Sequence, residues 1–185
     1  MTLKNLNISK DWTLFLDRDG VINRRLVDDY VKSWDEFEFT DGVLHAVKLF
    51  TETFGRIVVV TNQRGIGRGV MKEGTLNEIH QKMTDEVAKV GGKIDRVYFC
   101  PDLKDSGSFY RKPQIGMGLK ARKDFPEINF KKSIIAGDSK SDMQFGKRLK
   151  MKTVLIGDDF SIANNNPRLV DYHFDGLIDF ANILQ

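Results

Sequence analysis

Thr13-Leu14-Phe15-Leu16-Asp17-Arg18-Asp19-Gly20 is the stretch on which the fold turns: a short run without polar alternation, then two carboxylates and a glycine. A strand buried on both faces belongs in a parallel sheet covered on both sides, because only there is no position left for a solvated side chain. Arg56-Ile57-Val58-Val59-Val60, Arg96-Val97-Tyr98-Phe99, Ser133-Ile134-Ile135-Ala136 and Lys152-Thr153-Val154-Leu155-Ile156 read the same way. Between these runs the apolar period changes. Val43, Ala46, Val47 and Phe50 share one face of a helix predicted over 42–54, and further helices are predicted over about 74–90, 116–124 and 141–149. The tail from Tyr172 to Gln185 offers a short strand and a last helix. Strands alternating with helices predict an α/β fold, a doubly wound parallel sheet. At 185 residues, 41% hydrophobic and 30% charged, the chain fits one domain spanning 1–185.

Ligands of such sheets bind beyond the carboxyl ends of the strands, near the point where strand order reverses. Asp17 and Asp19 follow the first strand, Thr61 and Asn62 the second, and Asp138 the fourth. Taken alone, Asp17-Arg18-Asp19-Gly20 reads equally well as a turn in which glycine supplies a positive φ. Thr61-Asn62-Gln63-Arg64-Gly65-Ile66-Gly67-Arg68-Gly69 adds a hydroxyl, an amide and a flexible loop whose N–H groups can cradle an anion. It lacks the Lys-Ser/Thr ending of a Walker A loop, and its plainer reading is a glycine-rich turn entering a helix. Gly137-Asp138-Ser139-Lys140-Ser141-Asp142 brings two more carboxylates, one of which can cap the helix that follows. Arg111-Lys112-Pro113 places cations in the segment 101–115, taken as the longest irregular stretch and the carrier of specificity.

Together these residues meet the needs of phosphoryl transfer. Asp17, Asp19 and Asp138 make an oxygen-rich pocket suited to Mg²⁺. A carboxylate can take up the phosphoryl group as an aspartyl-phosphate, which assigns Asp17 as nucleophile. Lys112, the cation and the loop N–H groups neutralise the transition state. Asp19 is placed to protonate the leaving oxygen and then to activate water.

The rest of the chain narrows the field. The net charge is +3, and the one dense basic stretch, Lys147-Arg148-Leu149-Lys150-Met151-Lys152, reads as the exposed end of a helix. Nucleic acid is therefore not an expected partner. A single cysteine, Cys100, excludes an internal disulfide and a four-cysteine zinc site. Met1 to Trp12 is polar, and no run approaches the roughly 20 apolar residues of a membrane span. A cytoplasmic enzyme without membrane contact is expected.

The order of these motifs resembles the haloacid dehalogenase superfamily of phosphatases: Asp17-Arg18-Asp19-Gly20-Val21, then Thr61, then Lys112, then Gly137-Asp138-Ser139-Lys140-Ser141-Asp142. The resemblance implies a Rossmann-like fold, and the short segments between motifs imply a site covered by loops only, without a cap domain. Asp17 to Asn23, Phe37-Glu38-Phe39 with Asp41-Gly42-Val43, Thr61-Asn62-Gln63 with Gly65-Ile66, and Arg111-Lys112-Pro113 are similar to the heptose-bisphosphate and histidinol-phosphate phosphatases. By that resemblance Asp17, the backbone carbonyl of Asp19, and Asp138 hold Mg²⁺, Thr61 and Lys112 hold the transferring phosphate, and Asn62, Arg64 and Arg111 recognise the rest of a small phosphomonoester. A sugar bisphosphate is the leading substrate class and histidinol phosphate an alternative. In one respect the chain departs from the family, whose members often hold a structural zinc with Cys-x-His and Cys-x-Cys before Arg-Lys-Pro. Asp102 stands where the histidine would be, and Ser108 and Tyr110 take the last two cysteine positions. No zinc is expected, and Cys100 reads as a buried residue at a strand end.

Two rivals complete the reading. Thr61-Asn62-Gln63 with Gly65-Ile66-Gly67-Arg68-Gly69 is similar to the second motif of polynucleotide 3′-phosphatases, whose first motif usually has Leu and Thr where this chain has Arg18 and Val21. A non-catalytic binding protein of the same fold is disfavoured by the intact motif residues. A capless enzyme of this size is compatible with action as a monomer.

Overall fold

The computed structural model describes residues 3–26 and 29–185. Six strands, β1 (Thr13–Leu16), β2 (Arg56–Asn62), β3 (Arg96–Cys100), β4 (Ser133–Gly137), β5 (Lys152–Ile156) and β6 (Tyr172–Phe174), form one sheet ordered β3-β2-β1-β4-β5-β6. Every pairing is parallel. The helices are α1 (Val43–Thr53), α2 (Arg64–Gly67), α3 (Glu73–Lys89), α4 (Gly116–Asp124), α5 (Lys140–Arg148), α6 (Ser161–Asn165) and α7 (Leu177–Asn182). None of the helices described is long and apolar enough to cross a membrane.

Alternation along the strands explains their uniform apolarity. Leu14 and Leu16 enter one core layer with Ile57, Val59, Ile134 and Ala136, while Phe15 enters the other with Val58, Val60 and Ile135. The first layer is closed by Phe50 of α1, Leu76 and Met83 of α3, and Phe180 of α7. Met117 and Ala121 of α4 and Phe145 of α5 close the second. Phe15 is fully buried, with the rings of Phe130 and Phe145 each 6.4 Å away. Burying such a side chain contributes about 1.5–3 kcal/mol.

β1 lies between β2 and β4, where the crossovers change direction. Leu16 pairs with Val59 on one side and Ala136 on the other, so Asp17 and Asp138 emerge beside each other at the carboxyl edge. The main chain keeps this register one residue further, because Asp17 N–H donates to the Ala136 carbonyl at 2.9 Å.

The irregular segments differ from expectation in one respect. The longest is not 101–115 but the span from Asp17 to Gly42, where the described residues form only the 3₁₀ turn Trp34–Glu36 and the isolated bridges Asp19–Asn23 and Asn23–Phe39. Val21, Ile22, Val31 and Phe37 anchor it in the core, and Trp34 stacks on Phe37 with ring centroids 4.9 Å apart. Tertiary burial orders the described residues of this span without a helical or strand period, so no periodicity reveals them.

Candidate active site

The carboxyl edge at β1 and β4 carries a buried cluster of charge. Asp17, Asp138 and Asp142 each offer an oxygen within 4.8 Å of the other two. Lys112, only 3% exposed, extends its ammonium into the group, 2.9 Å from Asp17 Oδ1 and 2.5 Å from Asp142 Oδ1. It also donates to the Val60 carbonyl at 2.6 Å. The approach to Asp142 is an ion pair by distance but lies off hydrogen-bond geometry, which leaves Asp142 Oδ1 without a hydrogen-bond donor.

Two glycines allow this crowding. Gly20 has a φ of +86°, and a β-carbon there would lie 1.9 Å from Asp138 Oδ2. At Gly137 a β-carbon would lie 2.3 Å from Asp142 Cβ. Any larger residue displaces a carboxylate.

The cluster is short of positive charge. Burial first, then the neighbouring Asp142, pushes Asp17 up to about 6 although Lys112 opposes the rise. Burial and the charges of Asp17 and Asp142 push Asp138 up to about 8. Arg25 opposes that shift, holding Asp138 through Nη1 and Nη2, each at 3.1 Å. Burial lowers Lys112, but the attraction of Asp142 and Asp17 outweighs it and leaves the ammonium above its ordinary value. Three convergent carboxylates, one with a fully buried oxygen that has no donor among the described residues, suit a hard divalent cation that prefers oxygen ligands.

Asp19 lies apart from this cluster. Its Oδ1 accepts from Arg18 Nη2 at 2.6 Å, Arg18 Nε at 3.2 Å and Asn23 Nδ2 at 3.0 Å. Gln63 Nε2 donates to Asp19 Oδ2 at 2.7 Å and to Thr61 Oγ1 at 2.9 Å. Burial raises the Asp19 carboxyl, but the Arg18 guanidinium and these donors outweigh it and hold the group below its ordinary value. With Thr61 Oγ1 accepting from Gln63, the Thr61 hydroxyl proton remains available to a ligand.

Asn62, expected to read substrate, lines the cleft and is also bonded to the main chain of Lys112. Its Oδ1 accepts from Lys112 N–H at 3.0 Å and its Nδ2 donates to the Lys112 carbonyl at 3.1 Å, so the amide helps to place the lysine. Arg64, on α2, lies over the Tyr30 ring at 5.5 Å, and Arg111 donates to the Asp102 carbonyl at 3.0 Å. Burial lowers Arg111, and the positive charge of Arg64 adds to that shift. All eight residues singled out from sequence gather at this edge. Asp17, Asp19, Thr61, Asn62, Arg64, Arg111 and Lys112 line one cleft of about 470 Å³ together with Arg25 and Tyr30, and Asp138 adjoins it through Arg25.

Sequence reasoning had assigned no role to several residues. Asp142 was legible only as a helix cap, and it is one: its Oδ2 accepts from Ser139 N–H at 3.1 Å while its other oxygen faces Lys112. His80 occupies a core-facing position of α3 beside Leu76, Ile79, Met83 and Val87, a spacing at which a lone histidine gives no functional signal. Arg25 sits in the aperiodic span after β1.

Residues 11–166 match a family model described as polynucleotide kinase 3 phosphatase. This chain belongs to the haloacid dehalogenase-like phosphatases of that family. A D-glycero-α-D-manno-heptose-1,7-bisphosphate 7-phosphatase of Campylobacter jejuni is 41% identical to the phosphatase over 170 residues, covering 88% of this chain and 96% of the relative. The D-glycero-β-D-manno-heptose-1,7-bisphosphate 7-phosphatase of Haemophilus influenzae is 33% identical over 180 residues, covering 93% and 96%. Among solved structures, the D,D-heptose 1,7-bisphosphate phosphatase of B. bronchiseptica, complexed with magnesium and phosphate, superposes with a TM-score of 0.84 at 31% identity, covering 94% of this chain and 97% of that one.

At Cys100 the phosphatase closes its loop with light hydrogen bonds. The buried thiol lies 3.4 Å from Asp102 Oδ2 and 3.6 Å from Ser108 Oγ, and Ser108 Oγ accepts from Tyr110 N–H at 3.2 Å. Burial pushes the thiol above its ordinary value, so it stays protonated and serves as the donor to Asp102.

Proposed function

We propose that this phosphatase removes one phosphate from a sugar bisphosphate, a heptose 1,7-bisphosphate in the first place, through an aspartyl-phosphate on Asp17. One observation carries the reading: the Asp17–Lys112–Asp142–Asp138 cluster opens into a cleft whose rim bears Arg25, Arg64 and Arg111. A ligand with two anionic ends can meet the reacting cluster with one and the arginines with the other.

Asp17, Asp138 and Asp142, with the Asp19 carbonyl by family resemblance, are the residues that would hold Mg²⁺. The ion would supply charge neutralisation for the transferring group. Asp17 Oδ1 accepts from Arg18 N–H at 2.7 Å and faces Lys112, which leaves Oδ2 as the attacking oxygen. Attack forms the Oδ2–P bond as the ester P–O bond breaks. Asp19, held below its ordinary value by Arg18, first takes up a proton from solvent at its own Oδ2 and gives that proton to the leaving alkoxide. Asp19 then takes a proton from water as that water attacks phosphorus, which returns Asp17 as carboxylate and releases phosphate. Lys112 and the Thr61 hydroxyl hold the phosphoryl oxygens in both steps.

A second reading is favoured by a specific surface. Phe109 and Tyr110, 52% and 48% exposed, adjoin Arg111, and aromatic side chains beside arginines can stack nucleotides. A phosphate at the 3′ end of a polynucleotide is that alternative. A panel of heptose and other sugar bisphosphates, histidinol phosphate and 3′-phosphorylated oligonucleotides, assayed with Mg²⁺ from low to high salt, separates them. The sugar reading requires the highest kcat/KM on a sugar bisphosphate with shallow salt dependence. A preference for oligonucleotides that falls steeply with salt overturns it.

A further inference from the structure

Beneath Asp19, at the wall of the cleft, lies a buried cation. Arg18 is 1% exposed, and among the described residues its guanidinium has two partners, Asp19 and His80. His80 Nε2 stands 3.2 Å from Arg18 Nη1. A guanidinium only donates, so this nitrogen carries the lone pair and the imidazole proton sits on Nδ1. We infer that His80 is a positioning residue for catalysis: by accepting from Arg18 it fixes the guanidinium plane, and Arg18 in turn fixes the Asp19 carboxylate for proton transfer.

The distribution of donors on Asp19 supports this. Three N–H groups saturate Oδ1 and Gln63 alone reaches Oδ2, so Oδ2 keeps a lone pair for proton exchange. Rotation of the Arg18 plane would release Oδ1 from two of its three donors and let the carboxylate turn. Among the described residues, His80 alone secures the far edge of that plane. It is held by α3, whose core face buries Ile79 and Met83 beside it, and its ring lies 6.0 Å from that of Phe99. Burial first, and then the charge of Arg18, push His80 down to about 3, so it remains a neutral acceptor throughout the working range.

The inference rests on Asp19 as the acid and base, and leaving groups separate the two claims. A nitrophenolate departs without a proton, whereas an alkoxide requires one. The reference substrate is the best alkyl phosphate of the panel above, and 4-nitrophenyl phosphate is followed in a single turnover, with Mg²⁺ saturating. His80→Asn, whose amide falls short of the Nε2 position, is expected to lower kcat on the alkyl ester by about tenfold or more with KM held within about twofold. Its burst of nitrophenolate should stay near wild type. His80→Gln returns an acceptor to that position and should restore alkyl turnover, and His80→Met repeats the loss should His80→Asn not fold. Equal losses on both substrates, no loss at all, or failure of His80→Gln to rescue would overturn the inference. Asp19→Asn should show the same leaving-group pattern in stronger form. If it shows none, the acid–base role falls and the inference with it; if it does while His80→Asn and His80→Met do not, only the inference falls.

Discussion

Replacing Lys112 with methionine removes the one buried ammonium from the carboxylate cluster while keeping an unbranched apolar stem. Three contacts disappear together: 2.9 Å to Asp17, 2.5 Å to Asp142 and 2.6 Å to the Val60 carbonyl. Breaking a buried ion pair from one side costs about 3–5 kcal/mol, because the partner charge stays behind unpaired. In a chain of this length each kcal/mol moves Tm by about 2–4 °C, so Lys112→Met should melt about 10 °C below wild type in chelator at pH 8. Mg²⁺ then acts differently on the two proteins. In wild type it joins a cluster already partly neutralised, whereas in the variant it replaces the missing charge, so it should raise the variant's Tm by the larger amount. Phosphatase activity should nevertheless stay down by about 10²-fold or more, since the ion does not restore the donor to the phosphoryl oxygens. Calorimetry with and without Mg²⁺, paired with a turnover assay, reads all three. Equal melting of the two proteins in chelator, or equal gains from Mg²⁺, would falsify the charge accounting.

Three further outcomes are expected. His80 titrates at about 3 in the fold against an ordinary 6.5, so its contribution is complete above pH 6.5 and is lost as pH falls toward 3. At pH 5 the loss is about 2 kcal/mol, and wild type should lose more stability than His80→Gln between pH 7.5 and 5 in denaturant titrations; parallel curves would refute the burial of a neutral imidazole. Gly20→Ala places a β-carbon 1.9 Å from Asp138 Oδ2 at a φ of +86°, so Mg²⁺-dependent stabilisation and turnover should both collapse, and an active variant with wild-type Mg²⁺ affinity would contradict the geometry. Phe15→Ala opens a cavity between Phe130 and Phe145 and should cost about 3–5 kcal/mol in urea unfolding while leaving KM nearly unchanged; a cost under 1 kcal/mol would deny the close packing of that layer.

Much of the sheet and of its carboxyl edge is legible in the sequence. Strands such as Ile57 to Val60 are apolar because both faces are covered, and the same cause places Asp17 and Asp138 at their ends, so fold and site share one signal. What escaped did so for definite reasons. Asp142 caps a helix with one oxygen and faces a lysine with the other, and sequence reveals only the local half of that arrangement. Asn62 is expected to read substrate only by family resemblance, and its bonds to the main chain of Lys112, 50 positions away, are invisible to any local pattern. His80 satisfies the apolar spacing of α3, and only the long-range contact with Arg18 distinguishes it from packing. Periodicity reports neighbours along an element, and each of these residues is defined by a neighbour across the fold.

The paired bonds between Asn62 and Lys112 tie two parts of the molecule that are free to diverge separately in principle. The amide of Asn62 grips both the N–H and the carbonyl of Lys112, as an adjacent strand would, so the end of β2 serves as the socket for the segment that follows β3. The cation of the reaction thus arrives as cargo on a surface segment rather than on the scaffold. That segment can be rewritten for a new substrate at Leu103, Phe109 or Tyr110, all exposed, but it cannot be lifted or grafted without carrying its own lysine and finding an asparagine to receive it. Docking of the segment and arming of the site are one event, and hydrogen exchange at Lys112 N–H would report both.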